Sequence, residues 1–275
     1  MSASQQCVNR IMRYFICLSV LCMLLSSCSI IALQQTGEIA YVMGGIERGP
    51  IHEKKIALVF TGGSFAEGGD YILNILKEHT AKASFFFTGD FFRNPEFEGL
   101  IHRIVREGHY VGPHSSRHLL YCPWENRAKT LVSEEEFKSD IRESLVEVRR
   151  FGIDPEKDNY WIPPYEWYND QISRWSDEMG LILINFTPGT HSNADYTGEA
   201  DKNFRSSEFI YNKILEKEST DPYGLNGFLL LMHIGAGTGR TDKFFYRLDD
   251  LLTELEQRGY SFIRVDTMLD PIVKK

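Results

Sequence analysis

Cysteine and positive charge are both scarce in this chain, and each shortage excludes a class of protein. Five cysteines occur among 275 residues, and only Cys28 and Cys122 lie beyond residue 27, so no internal disulfide framework is expected. Lys and Arg number 30 against 38 Asp and Glu, which gives a formal net charge of −8 without any Lys/Arg-rich run. Such a chain lacks the positive surface that phosphate binding requires, and we expect no nucleic-acid partner. Gly and Pro, at 22 and 10, are too few for a collagen-like or low-complexity chain.

The first 28 residues are typical of a bacterial export signal. Arg10 and Arg13 precede an apolar run at 14–25, which is too short to span a bilayer comfortably as a lone anchor. The run leads directly into Leu-Ser-Ser-Cys, ending at Cys28, and this segment resembles the lipobox of bacterial lipoproteins. The resemblance implies that Cys28 becomes the lipidated first residue of the mature protein, whereas in an ordinary secretory signal Cys28 would be incidental. We therefore expect an exported lipoprotein, anchored to a membrane of the bacterial cell envelope.

Three parts are expected along the chain: a signal peptide at 1–27, a lipid-anchored tether at 28–54 and one folded domain at 55–275. Ser, Thr, Gln and Gly are frequent just after Cys28, which is typical of a short flexible tether. The remaining length suits one large α/β domain better than two small ones.

Strand and helix signals alternate through the predicted domain. Short apolar segments bounded by turn residues predict seven strands, at 55–60, 83–88, 109–112, 160–163, 181–186, 227–233 and 260–265. Apolar residues at helical spacing predict helices between them, at 71–80, 97–105, 133–151, 169–180, 206–217 and 242–259. The segment 227–233 is apolar at nearly every position, as expected of a parallel strand covered on both faces. This pattern predicts a closed or nearly closed seven-stranded β/α barrel, with an open doubly wound sheet as the alternative.

Both architectures bind ligands at the carboxyl ends of their strands, and in this chain those positions carry histidines, carboxylates and aromatic rings. They include His114, His118, Tyr165, Glu166, Trp167, Asp195 and His233. The segment 187–205 has turn composition without helical periodicity, and we expect it to lie over the strand ends as a lid or substrate loop.

Four segments, in this order, resemble the motifs of the polysaccharide deacetylase family, also called the NodB-homology domain. The family motifs are T-F-D-D-G, H-S/T-x-x-H, R-P-P-Y/W and L-x-H. The chain has V-F-T-G-G at 59–63, H-S-S-R-H at 114–118, I-P-P-Y at 162–165 and L-M-H at 231–233. The resemblance extends over roughly 56–269 and implies a distorted seven-stranded β/α barrel.

The family reaction is the metal-dependent removal of acetyl groups from amino sugars or acetylated polysaccharides. The resemblance implies that His114 and His118 hold a divalent cation, for which we expect zinc, and that His233 acts as the acid. It also implies a glycan partner and a role in carbohydrate metabolism. Alternatives remain for each histidine. His114 and His118 could instead be two exposed histidines on a helix, which would have the same spacing without binding a metal. His233 could instead cap its strand by hydrogen bonding to the backbone.

The first and third motifs depart from the family pattern. Thr61 and Gly62 align with the family's base and metal-binding Asp, and Ile162 aligns with the Arg that orients the base. Two explanations compete. In the first, another carboxylate takes over, the candidates being Glu67, Asp90, Glu166 and Asp195. In the second, the site no longer catalyses and the groove only binds glycan.

We favour Glu166 as the replacement, because the preceding Pro163 and Pro164 restrict the backbone and so fix its direction; its alternative is a helix-capping or solvated residue. Glu67 is the second candidate, next to paired glycines that allow a close backbone approach. The predicted catalytic residues are His233, Glu166 and Glu67, and the predicted metal ligands are His114 and His118. The predicted substrate-binding residues are Thr61, Asp90, Pro164, Tyr165, Trp167 and Asp195. The chain is thus predicted to be an exported deacetylase-like hydrolase, or alternatively a catalytically silent carbohydrate-binding lipoprotein.

Overall fold

The computed structural model describes residues 39–274. The predicted signal peptide, Cys28 and the first part of the predicted tether lie outside the described residues. Between residues 39 and 274, no helix combines the length and the apolar character needed to cross a membrane.

Nine strands and eight α-helices alternate along the described chain. The strands are β1 (Ala40–Val42), β2 (Gly45–Arg48), β3 (Lys55–Gly62), β4 (Ala83–Phe87), β5 (Tyr110–Pro113), β6 (Tyr160–Trp161), β7 (Ile182–Leu183), β8 (Leu229–His233) and β9 (Ser261–Phe262). The helices are α1 (Gly69–Glu78), α2 (Gly89–Arg93), α3 (Glu98–Arg106), α4 (Glu134–Arg149), α5 (Asp170–Glu178), α6 (Ser207–Thr220), α7 (Leu248–Gln257) and α8 (Val265–Val273).

All seven predicted strands are present as a distorted parallel barrel, which confirms the predicted fold class. The central sheet has the order β5-β4-β3-β8, and β9 pairs with the start of β3. Strands β6 and β7 form a separate parallel pair, and the N–H of Ile162 reaches the carbonyl of Pro113 at 3.3 Å, beside the end of β5. Parallel pairing places the ends of β3 and β8 side by side, with Thr61 opposite His233.

The β1–β2 hairpin lies within the segment that was predicted to be tether. Ile46 is buried and bridges to Ile184 beside β7, while Arg48 bridges to Phe228 at the start of β8. The Arg48 guanidinium also pairs with Asp221 at 3.1 Å. The hairpin therefore fills the gap between β7 and β8, and the folded domain begins well before residue 55.

The alternation of side chains along β3 separates two cores. Ile56, Leu58 and Phe60 pack outward against the helices, whereas Ala57 and Val59 face the barrel interior. A strand with buried residues on both faces is expected when helices cover a parallel sheet.

A capping box is present at the start of α4. The Ser133 side chain accepts from the Glu136 backbone N–H at 3.2 Å, and the Glu136 carboxylate accepts from the Ser133 N–H at 2.8 Å. These two bonds satisfy backbone donors that a helix start leaves free. The capping box therefore stabilises the first turn of α4.

Candidate active site

A cavity of about 700 Å³ opens at the carboxyl ends of the strands. Its lining combines histidines, carboxylates, small polar groups and aromatic rings. The lining residues are Thr61, Gly62, Gly63, Ser64, Phe65, Thr88, Asp90, His114, His118, Trp124, Tyr165, Glu166, Asn193, Tyr196, Asn203, His233, Gly235 and Ala236. None of these is Lys or Arg, so the two acids of the lining, Asp90 and Glu166, have no permanent cation beside them within it.

Strand β5 and the turn after it bring His114 and His118 together. His114 Nδ1 lies 2.9 Å from the carbonyl oxygen of Ile162, and donation to this oxygen leaves Nε2 as a free acceptor. The Nε2 atoms of His114 and His118 are 3.2 Å apart. The turn is tight, because Ser115 and His118 both have positive φ, at 63° and 54°, and the His118 N–H donates to Ser115 Oγ at 3.0 Å.

Helix α4 braces this turn through Asp140, whose side chain is fully buried. Its Oδ1 accepts from the Arg117 N–H at 2.9 Å, and its Oδ2 accepts from the Tyr121 hydroxyl at 2.7 Å. A non-glycine residue with positive φ persists only where the surroundings hold it there. The bonds of Asp140 supply that restraint on both sides of His118.

Both imidazoles are neutral at ordinary pH. Burial lowers the pKa of His114 well below its usual value, and the charge of the adjacent His118 adds to this. Burial and the charge of His233 lower the pKa of His118 to about 4. Neutral imidazole is the form that binds metal ions.

Glu166 is the carboxylate that stands next to the two histidines. Its Oε1 lies 4.0 Å from His114 Nε2, and 10% of its side chain is exposed. Glu166 ends a short 3-10 turn, Pro164–Glu166, in which Tyr165 and Glu166 both have positive φ, at 59° and 52°. Burial raises the pKa of Glu166 to about 7, so the group is poised to gain or lose a proton near neutrality.

His233, at the end of β8, forms a hydrogen-bonded pair with Asp195. Its Nδ1 lies 2.6 Å from Asp195 Oδ1, and its backbone N–H donates to Oδ2 at 2.9 Å. Burial alone would lower the pKa of His233, but the charge and hydrogen bond of Asp195 raise it above its usual value. The Tyr196 ring lies 4.6 Å from the imidazole. The pair leaves His233 Nε2 free to act as a proton donor.

The two replaced positions of the first motif differ in surroundings. The Thr61 side chain is 1% exposed, and its Oγ1 has no hydrogen-bond partner among the described residues. A Cβ at Gly62 would lie 2.7 Å from Ile234 Cγ2 and 3.0 Å from ring carbons of Phe87 and Phe91. Apolar packing therefore closes position 62, whereas position 61 places a buried hydroxyl at the border of the cavity.

Other predicted site residues are distributed differently around the cavity. The structure does not bring Glu67 to the histidines: its Oε1 accepts from the N–H groups of Ala236 and Gly237, at 2.9 and 2.8 Å, and from Lys243 Nζ at 2.5 Å. Asp90 lines the cavity and pairs with Arg93 at 2.7 Å.

Tyr165 lines the cavity, whereas Pro164, Trp167 and Asp195 lie behind the lining. Pro164 is buried, and the Trp167 ring packs against the Trp124 ring.

The segment 187–205 lies at the cavity as predicted, but its individual contacts were missed. Asn193, Tyr196 and Asn203 from this segment line the cavity. The fully buried Arg240 side chain anchors the segment by donating to the carbonyls of Thr197 and Arg205, at 3.0 and 2.9 Å. The turn-rich composition was the signal for the loop, but nothing in it specifies these partners.

The residues present fit part of a divalent metal site. Zinc–nitrogen bonds of about 2.0–2.1 Å allow two nitrogens up to roughly 4 Å apart to share one ion, and the observed separation is 3.2 Å. The Ile162 carbonyl fixes the His114 tautomer as a second-layer partner of a metal ligand does. Within residues 39–274, no group of three or more His, Cys, Asp or Glu side chains meets the geometry of a metal site.

The fold and cavity define a β/α-barrel protein with a histidine- and carboxylate-lined pocket at its strand ends. Residues 48–184 match the family model described as polysaccharide deacetylase. The chain belongs to the polysaccharide deacetylase family, as the sequence motifs predicted.

The chain is similar in sequence to two bacterial peptidoglycan-N-acetylglucosamine deacetylases. A peptidoglycan-N-acetylglucosamine deacetylase from Bacillus cereus is 27% identical over 221 residues, which cover 80% of this chain and 70% of that protein. A peptidoglycan-N-acetylglucosamine deacetylase from Listeria monocytogenes is 30% identical over 217 residues, which cover 78% of this chain. The match spans only 39% of the Listeria protein.

Two solved structures share the fold. A peptidoglycan N-acetylglucosamine deacetylase in complex with a substituted N-hydroxybenzamide superposes with a TM-score of 0.63 at 25% identity, covering 82% of this chain and 92% of that chain. A pseudoenzyme of carbohydrate esterase family 4 from Bacillus anthracis gives a TM-score of 0.64 at 20% identity, covering 84% and 70%. The same architecture thus carries both active and inactive sites.

Proposed function

We propose that the chain is a metal-assisted hydrolase that removes acyl groups, such as acetyl, from a glycan or amino sugar. The observation that carries this proposal is the convergence of His114 and His118 Nε2, 3.2 Å apart, with the Glu166 carboxylate 4.0 Å from His114 Nε2. Membership of the family supports the reaction class, and the names of the relatives support a peptidoglycan-type substrate.

The chain's own residues divide the work of hydrolysis. His114 and His118 would hold a divalent ion, zinc being the ion we expect, and such an ion would polarise the acyl carbonyl and acidify a water. Glu166 takes a proton from that water as the water oxygen bonds to the acyl carbon. The Glu166 pKa of about 7 suits this proton transfer near neutral pH. His233, oriented by Asp195, protonates the leaving amine or alkoxide as the bond to the acyl carbon breaks. Asp195 stabilises the charged imidazole, as in other histidine–carboxylate pairs.

The test is acetate release from an N-acetylated oligosaccharide by the purified protein with added zinc. Removal of the proton-accepting carboxylate in Glu166→Gln should lower kcat by about 10²-fold or more, and His114→Ala should abolish bound metal as well as activity. Glu67→Gln is the matched control, because Glu67 is a partly buried carboxylate outside the cavity. Equal activity of Glu166→Gln and the parent would refute the role of Glu166.

A catalytically silent glycan-binding protein is the second candidate. The observation that favours it is the closed packing at Gly62, which leaves no room for the carboxylate that the family motif has there. A protein that retains oligosaccharide but carries no stoichiometric metal and releases no acetate would establish this candidate over the hydrolase.

We infer further that the protein is exported and held at a bacterial envelope membrane by a lipid on Cys28. The support is the sequence pattern that precedes Cys28. Metabolic labelling with a fatty acid should mark the protein, and Cys28→Ser should remove the label and release the protein from the membrane. Labelling that persists in Cys28→Ser would refute the anchor.

A further inference from the structure

A second cavity, of about 320 Å³, lies at the opposite end of the strands from the cavity that holds His114 and His118. Its lining comes from the end of α1, the link from α1 to β4 and the link from α3 to β5. The lining residues are Leu76, Lys77, Thr80, Ala81, Lys82, Glu107 and His109. None of them lines the first cavity, so the second cavity is a separate candidate site.

His109 brings a buried hydrogen-bond donor to this second cavity. Its side chain is 6% exposed, and its Nδ1 accepts from the Ala83 N–H at 3.2 Å. A neutral imidazole that accepts at Nδ1 carries its proton on Nε2. Among the described residues, Nε2 has no hydrogen-bond partner. Because a buried N–H without an acceptor is costly, this donor favours a ligand that brings an acceptor into the cavity.

Two lysines give the second cavity positive charge. Neither Lys77 nor Lys82 forms an ion pair with a carboxylate of residues 39–274, and Lys82 Nζ donates instead to the Glu107 carbonyl at 2.5 Å. This bond also offsets the partial negative charge that the C-terminus of α3 carries. The Glu107 carboxylate is engaged elsewhere, since its Oε1 accepts from Arg103 Nε at 2.8 Å.

The charges that act on His109 are mostly positive. Burial is the main cause that lowers the pKa of His109 to about 4. Three nearby cations, Lys82, Arg264 and Arg103, lower this pKa further. One acid, Glu107, acts against them. A negatively charged group that enters the cavity therefore meets an attractive field.

The rest of the lining indicates which kind of anion fits. Leu76 and Ala81, 0% and 4% exposed, form an apolar wall that suits a short alkyl group. Thr80 adds a hydroxyl, and it occupies a left-handed backbone position, with φ 52°, that favours glycine after a helix. Because Glu107 also lines the cavity, a ligand with one negative charge is favoured over one with two.

We propose that the second cavity binds a small monoanionic carboxylate. Its oxygens accept hydrogen bonds from His109 Nε2 and from the Lys82 ammonium, and its alkyl group packs on the apolar wall. Lys77 and Thr80 complete the set of donors. This site lies outside the first cavity and does not depend on the proposed hydrolysis.

The test follows the His109 imidazole by NMR while butyrate is added to the purified protein near neutral pH. The parent should bind butyrate saturably, and more tightly than formate, because formate has no alkyl group for the apolar wall. Lys82→Gln should weaken butyrate binding by about tenfold. Lys54→Gln is the matched control, because Lys54 Nζ likewise donates to a carbonyl at a helix end, that of Arg258 at 2.7 Å, but lies outside the cavity.

A second variant, Thr80→Gly, separates binding from folding. Glycine relieves the positive φ, so the Tm should not fall, whereas the loss of the hydroxyl should weaken butyrate binding. A parent that binds no butyrate overturns the site, as does equal affinity in the parent, Lys82→Gln and Thr80→Gly. An equal loss in Lys54→Gln and Lys82→Gln also overturns it. Phosphate that binds more tightly than butyrate overturns the assignment to a carboxylate. Because binding is measured without turnover, a failure of the proposed hydrolysis leaves these results unchanged.

Discussion

Acid should destabilise the fold through His109, which lies far from the cavity at the start of β5. Its side chain is 6% exposed, its Nδ1 accepts from the Ala83 N–H at 3.2 Å, and its ring meets Phe85 edge-on at 5.5 Å. Burial, aided by the charge of Lys82, lowers the pKa of His109 from 6.5 to about 4. The folded protein therefore holds a neutral imidazole over a range in which the unfolded chain is protonated.

The magnitude follows from the two pKa values. Because the folded pKa is depressed, the contribution of His109 is fully present above pH 6.5 and is lost as the pH falls toward about 4. Each pKa unit corresponds to about 1.4 kcal/mol, so acidification from about pH 8 to about pH 5 should cost roughly 2 kcal/mol. For a domain of this size that equals roughly 4–8 °C in Tm.

The assay is urea unfolding at both pH values, for the parent and for His109→Gln. The variant loses the contact with Phe85 at both pH values, so this cost cancels when each protein is compared with itself. Its stability loss between the two pH values should be smaller by about 2 kcal/mol. Equal losses in the parent and the variant would refute the assignment of this acid sensitivity to His109.

Three further substitutions test how the cavity is held in place. Asp140→Asn should weaken zinc or cobalt binding by about tenfold or more, because it loosens the turn before His118. An unchanged Kd for the metal would contradict the bracing role of Asp140. Gly62→Ala should lower the free energy of unfolding by about 1–3 kcal/mol through overpacking. Gly63→Ala is the control and should be tolerated, because its new Cβ would meet the first neighbouring atom at 3.7 Å. Equal Tm values for the two variants would contradict the close packing at Gly62. Arg240→Leu removes a donor from the buried carbonyl of Thr197, at about 1–3 kcal/mol, and another from the part-buried carbonyl of Arg205. The variant should therefore be cleaved faster by protease within 187–205, and an unchanged cleavage rate would contradict the anchoring role of Arg240.

Most strands and helices were predictable because their apolar residues follow a clear local pattern. The elements that were not predicted are short or have an atypical sequence. The predicted strand 55–60 became β3 because its apolar run fits a doubly covered strand. The β1–β2 hairpin was missed because β1 is only three residues long and mostly exposed. Helix α2 has five residues, fewer than a periodic pattern needs, and Pro271 inside α8 is typical of a helix end rather than a helix interior.

The candidate site was predictable where residues lie next to each other in sequence. His114 and His118 share one turn, so their convergence followed from a single motif. Asp195 and His233 are 38 residues apart, and their hydrogen bond depends on where a long loop settles. Glu67 was a reasonable candidate in the sequence, but its pairing with Lys243 spans 176 residues and only the fold reveals it.

The altered first motif limits where a catalytic carboxylate can come from. Position 62 is closed by Ile234, Phe87 and Phe91, so an acid there would require a rearranged core rather than a single substitution. Position 61 borders the cavity, but its side chain is 1% exposed and carries a hydroxyl, which cannot accept a proton near neutral pH. Under the proposed hydrolysis, the carboxylate at the histidines therefore comes from another strand end, and Glu166, buried beside His114 with a pKa raised to about 7, is the candidate.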